Sequence, residues 1–190
     1  NGKNIDLVQV IVKRMNFETN ALVDEYKYSV WMKGGIKIDI SAGIFLTSLM
    51  NKTYKTEDSN INGKTMKKII ESDKGNYDIG FGSMINLTYR TGSAWVKPGI
   101  SLGVIFTLAE SFQILTGLAL VLGKEQRIVL HGGMCMGSVN KLSNPYKVNN
   151  MYDLGASNDV PVTKKFSFGH FFGISYNLTK LKTNKTTDGD

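Results

Sequence analysis

The stretch Tyr77-Asp78-Ile79-Gly80-Phe81-Gly82-Ser83-Met84-Ile85-Asn86-Leu87-Thr88-Tyr89-Arg90 has two unlike faces. Tyr77, Ile79, Phe81, Ser83, Ile85, Leu87 and Tyr89 fall on one side. Asp78, Gly80, Gly82, Met84, Asn86, Thr88 and Arg90 fall on the other. A period of two is that of a β-strand, whose successive side chains point to opposite faces. One face is apolar with a tyrosine at each end, and the other is small or polar. A strand crossing a lipid bilayer has this texture. Twelve steps of ~3.3 Å, tilted by ~45°, rise roughly 28 Å, close to the ~25 Å apolar band of a membrane barrel.

Five further segments share the pattern. Ile36, Ile38, Ile40, Ala42, Ile44 and Leu46 oppose Lys37, Asp39, Ser41, Gly43, Phe45 and Thr47. Residues 96–108, 112–122, 128–137 and 166–178 alternate in the same way. Short links join several of them: Thr91-Gly92-Ser93, Ala109-Glu110-Ser111 and Gly123-Lys124-Glu125-Gln126. Such links make antiparallel hairpins. The segments 51–75 and 139–165 are long, polar and rich in Asn or Lys, and read as loops. With the first strand starting in the periplasm, both long loops fall outside, the asymmetry of outer-membrane barrels.

The predicted fold is therefore all-β: an antiparallel up-and-down transmembrane β-barrel of about eight strands over residues 36–180. The count of eight includes a hairpin in residues 1–35, turning at Asn16-Phe17-Glu18-Thr19-Asn20 and leading through a Gly34-Gly35 turn into the next strand. That hairpin supplies either the first barrel strands or the end of a periplasmic domain. Residues 181–190 read as a polar periplasmic tail.

Two features favour a membrane over a soluble barrel. The segments run about a dozen residues, against ~5–6 for ordinary strands. The less apolar face carries Gly, Ser, Ala, Asn and Thr rather than the Lys and Glu of a water-facing wall. It suits the crowded interior of a small closed barrel. Closure also removes the unpaired strand edges that lipid cannot solvate.

The stretch Phe166 to Leu178, with its Lys-rich tail, resembles the closing strand of small Bacteroidota outer-membrane barrels. Gly99 to Tyr146, with Leu142-Ser143-Asn144-Pro145-Tyr146-Lys147-Val148, is similar to uncharacterised members of that group. The resemblance rests on strand texture. It implies a barrel in a Gram-negative outer membrane and carries no catalytic residues. Many such barrels end on an aromatic residue, whereas further residues follow Leu178 here.

Composition narrows the function classes. The chain has 190 residues and a formal net charge of +7. Its lysines are scattered among Asp, Glu and Asn rather than lined up with aromatics, which argues against nucleic acid. Cys135 is the single cysteine, so no internal disulfide forms. Asp78-Ile79-Gly80-Phe81-Gly82 lacks the third glycine and the following helix of a dinucleotide loop. Two histidines without carboxylates at ligand spacing make no metal site. Ser101, His131 and Asp78 can be drawn as a triad, but no G-x-S-x-G elbow supports it. The expectation is a non-enzymatic protein with no cofactor, no metal and no small-molecule substrate.

Four charges stand out. Lys37, Asp39, Arg90 and Lys97 all face inward by alternation, near the periplasmic mouth, on three consecutive strands. They form either a charge-paired network that holds the barrel shut or an ion-selective constriction. Tyr77, Tyr89, Phe166 and Tyr176 are the expected aromatic girdle. Tyr54, Met66, Ile69 and Ile70 in the first loop, and Tyr146 and Tyr152 in the second, are apolar for loop residues. They either pack on one another as a cap or dock envelope proteins. The expected role is a membrane anchor or assembly component contacting outer-membrane lipid. A narrow passive pore and a soluble or virion structural β-protein are the alternatives.

Overall fold

The computed structural model describes residues 6–61, 64–72, 75–154, 159–179 and 183–185. The chain is all-β. In order, the strands are β1 (Leu7–Met15), β2 (Leu22–Trp31), β3 (Lys33–Thr47), β4 (Thr53–Ile61), β5 (Lys64–Ser72) and β6 (Asp78–Thr91). They continue with β7 (Val96–Thr107), β8 (Phe112–Leu122), β9 (Ile128–Leu142), β10 (Met151–Tyr152), β11 (Val162–Asn177) and β12 (Thr183–Lys185).

Six of these close a hydrogen-bonded ring in the order β11-β3-β6-β7-β8-β9. Every pair in it is antiparallel. Closure comes from β3 against β11, with Ser41 opposite Asn177 and Thr47 opposite Phe171. No strand of the ring is left with a free edge, the usual liability of an open sheet.

The alternation read from sequence sets the two faces of the ring. Ile38, Ile40, Phe81, Ile85, Ile100, Leu102, Leu118, Phe168 and Phe172 lie exposed on the outer wall. Phe45, Met84, Ile105, Leu115 and Phe171 are fully buried inside. The interior glycines do not leave space. A Cβ at Gly117 would meet the Gly132 carbonyl oxygen, and one at Gly133 would meet that of Thr116. A ring of six strands is narrower than one of eight, because diameter grows with strand number. Glycine on the inner face is what lets facing backbones approach that closely.

Two expectations are corrected, the strand count and the Gly34-Gly35 turn, while the expected hairpin within residues 1–35 forms outside the ring. The ring has six strands, not eight. β1 and β2 pair with each other, and β12 adds to β1 in parallel, as a separate three-stranded sheet. Gly34-Gly35 is not a hairpin turn. Both glycines take positive φ, +88° and +80°, and the β3–β6 register shifts between Lys33 and Ile36. This bulge lets β2 depart from the ring instead of folding back on β3.

The segments 51–75 and 139–165 are not plain loops either. β4 and β5 form a hairpin that β10 joins as a three-stranded sheet. β9 and β11 extend well past the expected ends and pair from Leu142 opposite Val162 to Ile128 opposite Tyr176. Both faces of such extensions are largely polar, so no alternation announces them in the sequence. Of the expected tail at 181–190, only Thr183–Lys185 lies among the described residues.

Candidate functional site

The start of β3, the ends of β6, β8 and β11, and the starts of β7 and β9 form one mouth of the ring. Alternation on three neighbouring strands sends Lys37, Asp39, Arg90 and Lys97 to it. Lys37 Nζ lies 3.3 Å from Asp39 Oδ1. Lys37 and Lys97 are each 5% exposed and Asp39 is fully buried. Charges taken this far out of water need partners, since desolvation costs several kcal/mol per ion.

The partners come from outside the ring. Asp6, just before β1, is buried and accepts a hydrogen bond from Arg90 Nε at 3.0 Å. Its other carboxylate oxygen is 3.5 Å from Lys37 Nζ. Lys37 also donates to Gln126 Oε1 at 2.8 Å. The Lys97 ammonium lies 5.5 Å from the centroid of the Trp31 ring at the end of β2. The Asp6 carbonyl in turn accepts from the Met32 backbone N–H at 3.1 Å. Only about 10 Å³ of space remains among Asp6, Trp31, Lys37, Arg90, Lys97 and Gln126. The N-terminal segment therefore seals this mouth with charge pairs.

Sequence reasoning picked out the four ring charges and missed Asp6, Trp31 and Gln126. Asp6 sits among Val and Leu in a segment whose place relative to the ring was open. Its charge opposite two cations is the signal that points to it.

Above the charged layer the interior is first polar, then apolar. Asn86 Nδ2 donates to Ser41 Oγ at 2.9 Å. His131 lies 2.7 Å from Ser175 Oγ through Nε2 and 3.4 Å from Ser101 Oγ through Nδ1. Asp78 sits opposite Thr47 at the other end of the ring, so it does not assemble with His131 and Ser101. Phe45, Met84, Ile105, Leu115 and Phe171 fill the middle as one cluster. Phe45 also touches His131 and Phe171 by ring contacts.

The far mouth is closed by a second network. Gln113 Nε2 donates to the Leu49 carbonyl at 2.7 Å, and Thr47 Oγ1 donates to Gln113 Oε1 at 2.8 Å. Cys135 Sγ lies 3.1 Å from Thr47 Oγ1 and is buried. Asn51 straps the rim above: Nδ2 donates to the Ala109 carbonyl and to Ser111 Oγ, and Oδ1 accepts from the Asn140 N–H.

The expected girdle residues are all exposed and lie near both ends of the outer wall. Tyr77 and Phe166 are toward the far mouth, and Tyr77 OH is 2.9 Å from His170 Nε2. Tyr89 and Tyr176 are toward the charged mouth, with the Arg127 guanidinium 5.7 Å from the Tyr176 ring centroid. Trp95, 68% exposed at the same end, escaped the sequence reading.

The two long segments meet each other. Met151 and Tyr152 pair with Lys68 and Lys67. Ile69 is fully buried and exchanges backbone hydrogen bonds with Asn149 and Asn150. The Tyr146 and Tyr152 rings stand edge to face at 5.0 Å. Tyr54 OH accepts from the Leu142 N–H, tying the hairpin to β9. Met66 and Ile70 are half-buried in β5. At the root of the hairpin Lys52 bonds Glu71 at 2.7 Å, and that hydrogen bond holds the lysine above its ordinary pKa.

Comparison with protein-family models, with curated proteins and with solved structures finds no match.

Proposed function

We infer that this chain is a non-enzymatic β-barrel of a bacterial outer membrane, acting as a membrane anchor or as a structural component of an envelope complex. The observation that carries the reading is the inversion of the ring. Its outer wall is a continuous apolar surface of Ile, Leu, Val and Phe, and its inside holds the buried charges and amides. Monomeric soluble proteins rarely expose contiguous apolar patches beyond a few hundred Å². Lipid is a solvent that such a wall suits, and the aromatic residues near both ends fit the two water interfaces. The resemblance to small Bacteroidota barrels points the same way.

The anchor reading is preferred to a narrow passive pore because the interior is filled. Phe45, Met84, Leu115 and Phe171 occupy the middle. Charge pairs close one mouth and the Gln113 network closes the other. Lys37, Asp39 and Arg90, joined through Asp6, and Lys97 against the Trp31 ring then act as a structural lock. The β4–β5–β10 sheet is the part free to meet other envelope proteins.

Two measurements test this. The purified chain is expected to need detergent and to migrate differently on gels when unheated. In planar bilayers it is expected to show no steady conductance. Reproducible single-channel steps would replace the anchor with the pore.

One observation favours a second reading. Six strands are fewer than the ~8 of the smallest outer-membrane barrels. A soluble or virion structural β-protein would cover the same apolar wall with other subunits. A defined detergent-free oligomer, with the wall protected from hydrogen exchange or labelling, would establish that reading instead.

A further inference from the structure

The outer wall is not uniform along the seam between β8 and β9. Outward neighbours there run Leu118 opposite Gly132, Thr116 opposite Met134, and Ile114 opposite Met136. The outward Gly132 leaves a notch, with the Phe172 ring 3.5 Å from where its Cβ would stand. An apolar groove of about 710 Å³ lies there, lined by Leu87, Ile100, Leu102, Leu118, Gly132 and Met134. Toward the far mouth the seam leads into a cleft of about 470 Å³. Ile114, Met136 and Phe166 give that cleft an apolar floor, and Glu110, Ser138 and Lys164 give it a polar wall. Thr116 and Met134 line the groove two rungs along the ladder from Ile114 and Met136 in the cleft, as the next outward pair, so the two features are continuous.

The polar wall carries one charge of each sign. Lys164 continues the outward column above Phe166 and Phe168 on β11, opposite Asn140. Glu110 projects from the 109–111 turn, where its φ is +57°. Both are exposed, and neither has an ion pair among the described residues. Asn51 fixes the turn through Ala109 and Ser111, so the Glu110 side of the cleft is held against β9.

We propose that this seam binds one phospholipid whose head group carries a phosphate and a primary ammonium. The phosphate meets Lys164, the ammonium meets Glu110, and an acyl chain lies over Ile114 and Met136 down into the Gly132 notch. From Ile114 to Leu118 the seam runs ~13 Å, room for most of a chain. The cation and the carboxylate together select a zwitterion. A purely anionic head group would face Glu110, and a quaternary ammonium could not donate to it. The proposal rests on the membrane reading above.

The test uses the full chain purified in detergent, delipidated and offered equal amounts of phosphatidylethanolamine, phosphatidylglycerol and phosphatidylcholine. Lipid retained per protein is read by native mass spectrometry. Phosphatidylethanolamine is expected to exceed the other two by about tenfold, the value of one charge-assisted hydrogen bond. Lys164→Glu and Glu110→Lys should each abolish the preference, and the double exchange should restore it. Gly132→Phe should lower retention of the lipid without changing which head group wins. Equal retention of all three lipids by the unaltered chain overturns the site while leaving the membrane reading intact. Soluble phosphoethanolamine competing as well as the lipid at equal concentration overturns the acyl-chain half. A chain that stays a soluble monomer without detergent overturns both readings.

Discussion

Asp6 accepts a hydrogen bond from the Arg90 guanidinium at 3.0 Å, joining residues 84 positions apart. The same carboxylate reaches Lys37 at 3.5 Å, so one N-terminal residue bridges two ring cations. Removing it leaves Lys37 with Asp39 and Gln126, and Arg90 with the Ile36 carbonyl but no carboxylate. Asp6→Asn is therefore expected to cost about 3–5 kcal/mol of stability, the usual penalty for stripping one partner from a buried ion pair. Equilibrium unfolding of the refolded chain measures it. A loss below about 1 kcal/mol would mean that water, not Asp6, compensates the mouth.

Gly117 and Gly132 offer a paired test of the narrow ring. A side chain at Gly117 would run into the facing backbone at Gly132 and Gly133, whereas one at Gly132 would make only ordinary contacts, with the Phe172 ring and the Phe171 carbonyl oxygen. Gly117→Val is expected to block ring closure, seen as loss of the compact unheated gel band. Gly132→Ala is expected to fold normally. Equal behaviour of the two variants would contradict the close approach of β8 and β9.

Phe45 is fully buried and contacts Phe171 with ring centroids 6.2 Å apart. Phe45→Ala should destabilise the chain by about 3–5 kcal/mol, from lost transfer energy and the cavity left behind. Both mouths stay closed in this variant, so bilayer conductance should remain absent. Channel steps from Phe45→Ala would show that the aromatic plug, rather than the mouths, blocks passage.

Gln113 holds the far mouth through Thr47 and the Leu49 carbonyl. Gln113→Leu keeps the volume but leaves that carbonyl and the Thr47 hydroxyl short of a partner. A loss of about 1–3 kcal/mol is expected. Faster backbone exchange at residues 47–51 would locate the damage, and unchanged exchange there would argue against the strap.

Lys52 is held above its ordinary pKa by Glu71. A raised folded value means that the pair stabilises the hairpin fully below the unfolded lysine value of ~10.4. That support is lost as pH rises through the folded value. The side chains are 47% and 38% exposed, so the effect is small, ~0–1 kcal/mol. Limited proteolysis within β4 and β5 should rise only in that alkaline range, and Lys52→Gln should remove the pH dependence.

The inner and outer faces of the ring strands were legible because alternation is local. Ile38 outside and Asp39 inside follow from neighbouring positions on one strand. The same arithmetic put Lys37, Asp39, Arg90 and Lys97 at one end of the ring. The strand count was not legible. Val8, Val10 and Val12 alternate like ring residues, yet their partners are Val30, Tyr28 and Tyr26. Whether a hairpin joins a ring depends on which edges remain open, and that is a property of the assembled sheet. β4 and β5 were hidden for another reason. Their faces mix polar and apolar residues, with Lys67 and Ile69 buried on one side of β5, so no apolar period-two signal stands out.

The sequence by itself determined the β-strand period, the apolar and glycine-rich faces, and the inward set of charges, because each follows from side chains a few residues apart. Only the tertiary structure decided that β3 closes on β11, that six strands suffice, and that Asp6, Gln126 and Trp31 complete the charged mouth. Those contacts join distant parts of the chain. They exist only when the backbone bends at Gly34-Gly35 and the inner glycines let the strands draw close enough to meet.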